Sequence, residues 1–292
     1  GAGTVTLTAG GGTSTITVSN PISSGSGVVQ LTAVDGVTLS GANGDVTTTG
    51  GYTVNADSNT DGTGTYSQNH AGSAVSSGAV QITAADVALT GTIDSGAANV
   101  TILTSTAGAT IGIADASKNL NLTDTELDQI SSTGTINIGS AANTGGITIG
   151  TDGALTQGAK NFQFTTAGNI AIGGNDFSTT GNVGLTADNA GNTAAITTGA
   201  GVVGAAGLTA TADAGIALNT SVSTLTATNS ASGNIVIAEA TGVDLAGLTQ
   251  TTAGNIQVVT ANGSITTSGS ISAAGAGTVT LTAGGGTSTI TV

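Results

Sequence analysis

The chain has 292 residues, a formal net charge of −14, only 6% charged side chains and no cysteine. Its only lysines are Lys118 and Lys160, and it has no arginine. Phosphate groups and anionic lipids are bound mainly through Lys and Arg, so the composition excludes both nucleic-acid binding and attachment to anionic membranes. Disulfides and thiolate metal sites are impossible without cysteine, and no apolar run approaches the ~20 residues of a membrane-spanning helix, so we expect no membrane insertion.

Short runs in which apolar and small polar residues alternate follow one another along the chain, separated by turn residues. Alternation with period 2 predicts strands with one buried face. The clearest runs are TVTLTA (4–9), VVQLTA (28–33), AVQITA (79–84), NVTILT (99–104), TINIGS (135–140), NIAIGG (169–174), GIALNT (215–220) and NIVIAEA (234–240).

The runs also resemble one another. Gly-Asn-Ile or Gly-Asn-Val opens a strand at Gly168, Gly181, Gly233 and Gly254. Degenerate repeats with strands at a fixed phase are typical of a solenoid, in which each coil stacks on a near-copy of itself. We therefore predict an all-β fold, a right-handed parallel β-helix (β-solenoid) of about 12–14 coils of roughly 20–23 residues each.

The segment GAGTVTLTAGGGTSTITV occupies residues 1–18 and recurs without change at 275–292. This recurrence predicts that residues 1–274 form one full period and that residues 275–292 begin the next identical one. We expect the coils to stack end to end into a longer array. The predicted partner is therefore the protein itself, joined head to tail either as tandem repeats or as a filament.

Residues 51–72 interrupt the strand pattern and are predicted to form a loop insertion. Within this insertion Asp57, Asn59 and Asp61 occupy positions 1, 3 and 5 of a calcium-loop pattern, with Gly62 at the turn. The bidentate Glu of position 12 is replaced by Gln68. The pattern therefore indicates a weak calcium site, and calcium is the only candidate cofactor. A polar turn without metal explains the same residues.

The insertion also holds both tyrosines, Tyr52 and Tyr66, and the only histidine, His70. Because amphipathic aromatic side chains are favoured at interfaces, these three residues are the candidate binding residues, for a host or neighbouring-cell surface. The alternative is an insertion packed over the coils, with the tyrosine rings covering strands.

The segment TDTELDQI (123–130) carries several acids and breaks the strand pattern. Thr123 and Glu126 have the spacing of a capping box, in which the hydroxyl and the carboxylate each accept a backbone N–H. We therefore predict one short helical turn at the solenoid edge rather than a catalytic acidic cluster.

The Gly-Asn-Ile pattern, together with LNLTDTELDQISSTGTINIGSAANTGGITIG (120–150), resembles the repeat regions of filamentous haemagglutinin-like giant bacterial surface proteins. The resemblance extends diffusely over nearly the whole chain and is sharpest across residues 120–150. It implies a secreted β-helical rod of an adhesin or surface fibre, exported across a Gram-negative outer membrane. The secretion-recognition domain typical of that family is not among these residues.

These observations favour a structural repeat module of an extracellular fibre, sheath or giant adhesin stalk, located outside the cell or on its surface. Catalysis is not expected, because a lone His70 and the absence of arginine offer no assembled acid–base or nucleophilic group. One alternative is an adhesin that binds through residues 51–72. Another is ice binding by threonine ladders, which requires Thr-x-Thr at one phase on successive coils, whereas threonine in this sequence is scattered among Ser, Gly and Asn.

Overall fold

The computed structural model describes residues 1–292, and half of them lie in strands, which make up nearly all of the regular structure. The chain divides into two compact units, Gly1–Gly139 and Ser140–Val292. Parallel sheets build a β-solenoid of about 12 turns, which confirms the predicted fold class.

The first unit contains sixteen complete strands, one helix and most of a seventeenth strand. They are β1 (Val5–Ala9), β2 (Ile16–Val18), β3 (Ile22–Gly25), β4 (Val29–Ala33), β5 (Val37–Leu39), β6 (Val46–Thr48), β7 (Tyr52–Asn55), β8 (Thr65–Gln68), β9 (Ala74–Ser76), β10 (Val80–Ala84), β11 (Asp86–Leu89), β12 (Thr92–Asp94), β13 (Val100–Thr104), β14 (Ile111–Ile113), β15 (Leu120–Leu122), α1 (Asp124–Asp128), β16 (Ile130–Ser131) and β17 (Thr135–Ser140).

The second unit continues with sixteen strands. They are β18 (Ile147–Ile149), β19 (Leu155–Thr156), β20 (Asn161–Thr166), β21 (Ile170–Ile172), β22 (Phe177–Ser178), β23 (Asn182–Ala187), β24 (Ile196–Thr198), β25 (Val203–Ala212), β26 (Ile216–Asn229), β27 (Ile235–Glu239), β28 (Val243–Gln250), β29 (Ile256–Thr260), β30 (Ile265–Thr267), β31 (Ile271–Ala273), β32 (Val279–Ala283) and β33 (Ile290–Thr291).

The first unit is built on three parallel sheets, and each of its first four coils contributes a strand to each of them. One sheet contains β1, β4, β7, β10 and β13, the second contains β2, β5, β8 and β11, and the third contains β3, β6, β9, β12 and β16. Pairing is in register, so that Val29, Tyr52, Val80 and Val100 form one inward column. These four side chains are buried, because alternate residues of a strand point to one face.

The second unit repeats this arrangement with longer strands. β25 and β26 each pair along two successive faces, so the chain turns the corner within one continuous strand. Its core contains all three phenylalanines, Phe162, Phe164 and Phe177, with ring centroids 5.2–5.7 Å apart. Most of the remaining interior positions are aliphatic, because a coil of this width accommodates few aromatic rings.

Residues 51–72 do not form a single loop insertion. Tyr52–Asn55 is strand β7 and Thr65–Gln68 is strand β8, and both pair in register with neighbouring coils. The loop proper is the segment 56–64 between them. The prediction of one continuous loop was wrong because the Asp, Asn and Gly residues of the turn obscured the alternation of apolar and polar residues on either side of it.

The short helix is where the capping-box spacing predicts it. Asp124–Asp128 forms α1, with the Thr123 hydroxyl accepting the backbone N–H of Glu126 and the Glu126 carboxylate accepting the N–H of Thr123 at 2.9 Å. The other carboxylate oxygen of Glu126 accepts the N–H of Leu89 at 3.1 Å. One acidic side chain thus closes the helical turn and ties it to β11.

Candidate functional site

The two tyrosines of the predicted binding group lie in the core. Tyr52 and Tyr66 are both 0% exposed, and their rings meet edge to face with centroids 6.3 Å apart. Burial, reinforced by Tyr66, raises the pKa of Tyr52 well above its usual value, and burial likewise raises the pKa of Tyr66. Enclosed rings cannot touch a surface partner, so the prediction that these tyrosines bind one was wrong.

Unlike the two buried tyrosines, His70 lies at the surface. Its side chain is exposed, and Nδ1 accepts the backbone N–H of Gly72 at 2.9 Å, while the His70 carbonyl accepts the Ser73 hydroxyl at 2.7 Å. The imidazole therefore shapes a turn. Of the three predicted binding residues, only His70 can be reached from outside.

The loop 56–64 is organised around the buried carboxylate of Asp57. One oxygen accepts the N–H of Asp61 at 3.2 Å, and the other accepts the N–H of Gly62 at 2.9 Å and the hydroxyl of Ser105. Gly62 has φ +85°, a backbone conformation that favours glycine. The residue at position 1 of the calcium pattern thus folds the loop and joins it to the chain after β13.

Asn59 and Asp61 are likewise bonded within the loop. The Asn59 amide donates to Asp61 at 2.7 Å, and the Thr63 hydroxyl lies 2.6 Å from Asp61 and 2.8 Å from Asp35. The Thr63 hydrogen bond lowers the pKa of Asp61. Asp61 borders a concavity of about 290 Å³. No group of three or more His, Asp or Glu side chains is placed to hold a metal ion, so calcium binding stays a prediction.

Elsewhere, buried carboxylates hold one coil to another. Glu239 accepts the N–H of Val222, on the preceding coil, at 3.1 Å, and also the N–H and hydroxyl of Thr241. Asp213 accepts the N–H of Asn189 at 2.7 Å and the hydroxyl of Ser230 at 2.8 Å. Both acids are almost fully buried, and their carboxylates accept backbone N–H and hydroxyl groups of their own and adjoining coils.

The Gly-Asn-Ile motif has a specific structural role that the sequence did not reveal. The side-chain oxygen of Asn234 accepts the N–H of Asn255, and that of Asn255 accepts the N–H of Thr278, at 2.8 and 2.9 Å. Each asparagine therefore binds the equivalent position of the next coil. The preceding glycine is required because a Cβ at Gly254 would collide with the carbonyl oxygen of Gly233.

A column of threonines on the second unit was also missed. Outward-facing threonines on five successive coils lie in register, and Ser272 continues the column. On two neighbouring coils the pattern is Thr-x-Thr, with Thr209 beside Thr226. The five are Thr165, Thr186, Thr211, Thr228 and Thr249. One threonine per coil therefore keeps a single phase on this face, and the full Thr-x-Thr pair occupies two of the five coils.

The repeated segment takes two different neighbours. As β1 and β2 it pairs with the coils that follow it, β4 and β5. As β32 and β33 it pairs with the coils that precede it, β29 and β30. The same 18 residues therefore present a pairing edge on either side.

No helix has the length and apolar character needed to cross a membrane. Comparisons of the chain with protein-family models, with curated proteins and with solved structures find no match.

Proposed function

We propose that this protein is a structural repeat module of an extracellular fibre, sheath or giant adhesin stalk. The observation that carries the proposal is that its buried and motif-forming polar side chains bond to the protein's own coils. Asp57, Glu239 and Asn255, which in other contexts bind ligands or metals, accept hydrogen bonds from the backbone or hydroxyl groups of their own and adjoining coils. Polar side chains that are bonded in this way stabilise the stack of coils, and few remain free to act in catalysis.

A location outside the cell is supported by the resemblance to secreted surface-protein repeats and by composition. With two lysines and no arginine, the chain offers trypsin-like proteases almost no cleavage sites, a property that suits exposed material. The partner that fits this role is the protein itself, in a repeating array. Binding to a host or neighbouring cell through residues 51–72 is the weaker proposal, because Tyr52 and Tyr66 are buried and cannot contact a partner.

The test is the removal of one coil. Deleting residues 234–254 joins Gly233 to Asn255 and restores Gly-Asn-Ile, so that the strand at 256 takes the register of the strand at 235. A structural module should still fold and still be detected by antibody on intact producing cells. Deleting residues 234–244, about half a coil, is the matched control and should abolish folding. Antibody labelling only after cell lysis would contradict the extracellular role.

A second candidate function, ice binding, is favoured by the threonine column. Stacked coils space the threonine hydroxyls by about 4.8 Å along the column, and a Thr-x-Thr pair adds a second regular spacing. Such a lattice of hydroxyls and methyls is suited to ordering water. The test is thermal hysteresis of the wild type and of Thr211→Lys, with Thr101→Lys, an outward-facing change in the first unit, as control. Equal hysteresis in all three, or none in the wild type, rejects this function.

A further inference from the structure

We propose that Asp152 is a site of spontaneous backbone modification, at which aspartate converts into isoaspartate through a succinimide formed with Gly153. This chemistry is independent of the proposed structural role. Five Asp-Gly or Asn-Gly pairs are candidates for it, because glycine has no side chain to hinder the approach of its nitrogen to the preceding carboxyl or carboxamide. The pairs begin at Asp35, Asn43, Asp61, Asp152 and Asn262.

The reaction needs only the chain and solvent water. The backbone nitrogen of Gly153 attacks Cγ of the Asp152 carboxyl, loses its proton and expels one carboxyl oxygen as water, which closes a five-membered succinimide ring. Water then adds to one of the two ring carbonyls and breaks the bond from that carbon to the nitrogen. Addition at the former backbone carbonyl leaves the chain running through Cβ, as isoaspartate. One water is lost and one is regained, so the mass of the product is unchanged.

In two of the other pairs the attacking nitrogen is held by a short hydrogen bond. The N–H of Gly62 donates to the Asp57 carboxylate, and that of Gly263 donates to a backbone carbonyl on the next coil, both at 2.9 Å. Attack requires the hydrogen bond to break first, and a bond to a carboxylate slows this opening by about tenfold or more. Thr63 also lowers the pKa of Asp61 and so favours the ionised carboxylate, which expels its oxygen poorly.

In two further pairs the glycine is buried against the backbone of an adjoining coil. A Cβ on Gly36 would come within 3.3 Å of the carbonyl oxygen of Thr65, and one on Gly44 within 2.7 Å of the carbonyl oxygen of Val18. The space around both glycines is therefore filled. Such packing resists the backbone rotation that brings the preceding side chain and the nitrogen together.

Neither restraint acts on the pair at Asp152. Its side chain is exposed, Gly153 is half-exposed, and a Cβ built on Gly153 would meet no atom within 4 Å. No protein group accepts the N–H of Gly153. The attacking nitrogen is therefore available, and the surroundings leave room for the ring.

The turn between β18 and β19 tolerates the product because it is anchored on both sides of the reacting pair. Before the pair, the Asn175 side-chain amide donates to the carbonyls of Gly150 at 3.1 Å and Thr151 at 2.9 Å. After it, the N–H of Leu155 donates to the carbonyl of Asp176 at 2.8 Å. Isoaspartate adds one backbone atom at the tip between these anchors, where exposed turns absorb insertions. The solenoid should therefore stay folded as isoaspartate accumulates.

The test locates isoaspartate in the 292-residue chain after prolonged warming at mildly acidic pH. Brief digestion of the denatured product by trypsin cleaves only after Lys118 and Lys160, and the middle peptide, 119–160, contains Asp152 in its one Asp-Gly or Asn-Gly pair. The separated peptides are then methylated with protein isoaspartate methyltransferase and a labelled methyl donor. Label in the middle peptide should exceed that in either other peptide severalfold. Warming in urea should spread label over all three peptides, because unfolding removes the restraints on the other pairs.

The matched variant is Gly153→Ala, whose methyl group meets no neighbour in the fold but hinders ring closure. It should stay folded by circular dichroism and lose most of the label in peptide 119–160. Asp152→Asn should react through the same ring with loss of ammonia, so that this peptide gains mass as aspartate and isoaspartate replace asparagine.

Three results would overturn the proposal. They are equal labelling of the three peptides from the folded wild type, labelling of peptide 119–160 that Gly153→Ala leaves unchanged, and an unchanged mass of that peptide in Asp152→Asn. The coil deletion described above tests the structural role separately, and its outcome has no bearing on this chemistry.

Discussion

Asn234 and Asn255 stand one coil apart, and the side-chain oxygen of Asn234 lies 2.8 Å from the backbone nitrogen of Asn255, whose N–H it accepts. Asn255 then does the same for Thr278. Backbone groups between two strand segments have no ladder partner of their own, and the asparagine supplies one. The recurrence of Gly-Asn-Ile is therefore explained by contact between coils rather than by a ligand.

Asn234→Ala should loosen this contact locally. Loss of one such hydrogen bond is worth about 1 kcal/mol, which corresponds to roughly fivefold faster hydrogen exchange at the Asn255 amide. Asn234→Asp keeps an acceptor oxygen and should protect the amide nearly as well as asparagine does. Equal exchange rates in the Ala and Asp variants would show that the side-chain oxygen is not the partner.

Thr123→Ala should destabilise the short helix. The hydroxyl of Thr123 caps the N–H of Glu126, and removing an N-cap hydroxyl reduces the free energy of unfolding by about 1 kcal/mol. Thr123→Ser retains the hydroxyl and should lose much less. Urea unfolding of the three proteins side by side measures the difference, and an Ala variant as stable as the Ser variant would contradict the cap.

Phe177→Ala should strongly destabilise the core of the second unit. The ring meets Phe162 and Phe164 edge to face at 5.2 and 5.5 Å, and its removal leaves a cavity that the stacked strands cannot close. Truncation of a buried phenylalanine costs about 3–5 kcal/mol, which urea unfolding measures. Phe177→Leu keeps most of the volume and should retain a larger share of the stability. A loss below ~1 kcal/mol for the Ala variant would indicate that the coil relaxes around the gap.

The sequence predicted the solenoid and the capping box because both depend on local spacing. The alternation in TVTLTA (4–9) requires no knowledge of neighbours, and neither does the three-residue separation of Thr123 and Glu126. The burial of Tyr52 was also predictable from the sequence, since Tyr52 shares the phase of the apolar Val54 two residues later. It was missed because the polar turn that follows dominated the interpretation.

Contacts between coils could not be predicted in the same way, because coil length varies. The register joins Thr186 to Thr211, 25 residues on, and Thr211 to Thr228, only 17 residues on. Threonines that form one straight column therefore look scattered along the chain. The N–H and hydroxyl groups that donate to the buried acids were hidden for the same reason.

Asp61 and Asp86 should respond to pH in opposite directions. A hydrogen bond from Thr63 lowers the pKa of the exposed Asp61, so its ionised form stabilises the fold. That contribution is present above the ordinary carboxyl range and is lost as the pH falls through the lowered pKa. Asp61→Asn should therefore lower stability at neutral pH and become indistinguishable from the wild type in acid.

Asp86 is the converse case. Burial raises the pKa of this half-buried carboxyl, with Glu126 nearby adding to the effect, although the N–H of Asn121 donates to it at 3.0 Å. Ionisation therefore opposes folding, and wild-type stability falls as the pH rises from the ordinary carboxyl range through the raised pKa. Asp86→Asn keeps an oxygen for Asn121 and removes the charge, so it should stabilise the protein at neutral pH and lose that advantage in acid. Thermal unfolding of Asp61→Asn, Asp86→Asn and the wild type across this range measures both effects, and a stability difference of the same sign for the two variants would contradict the opposite environments of these carboxylates.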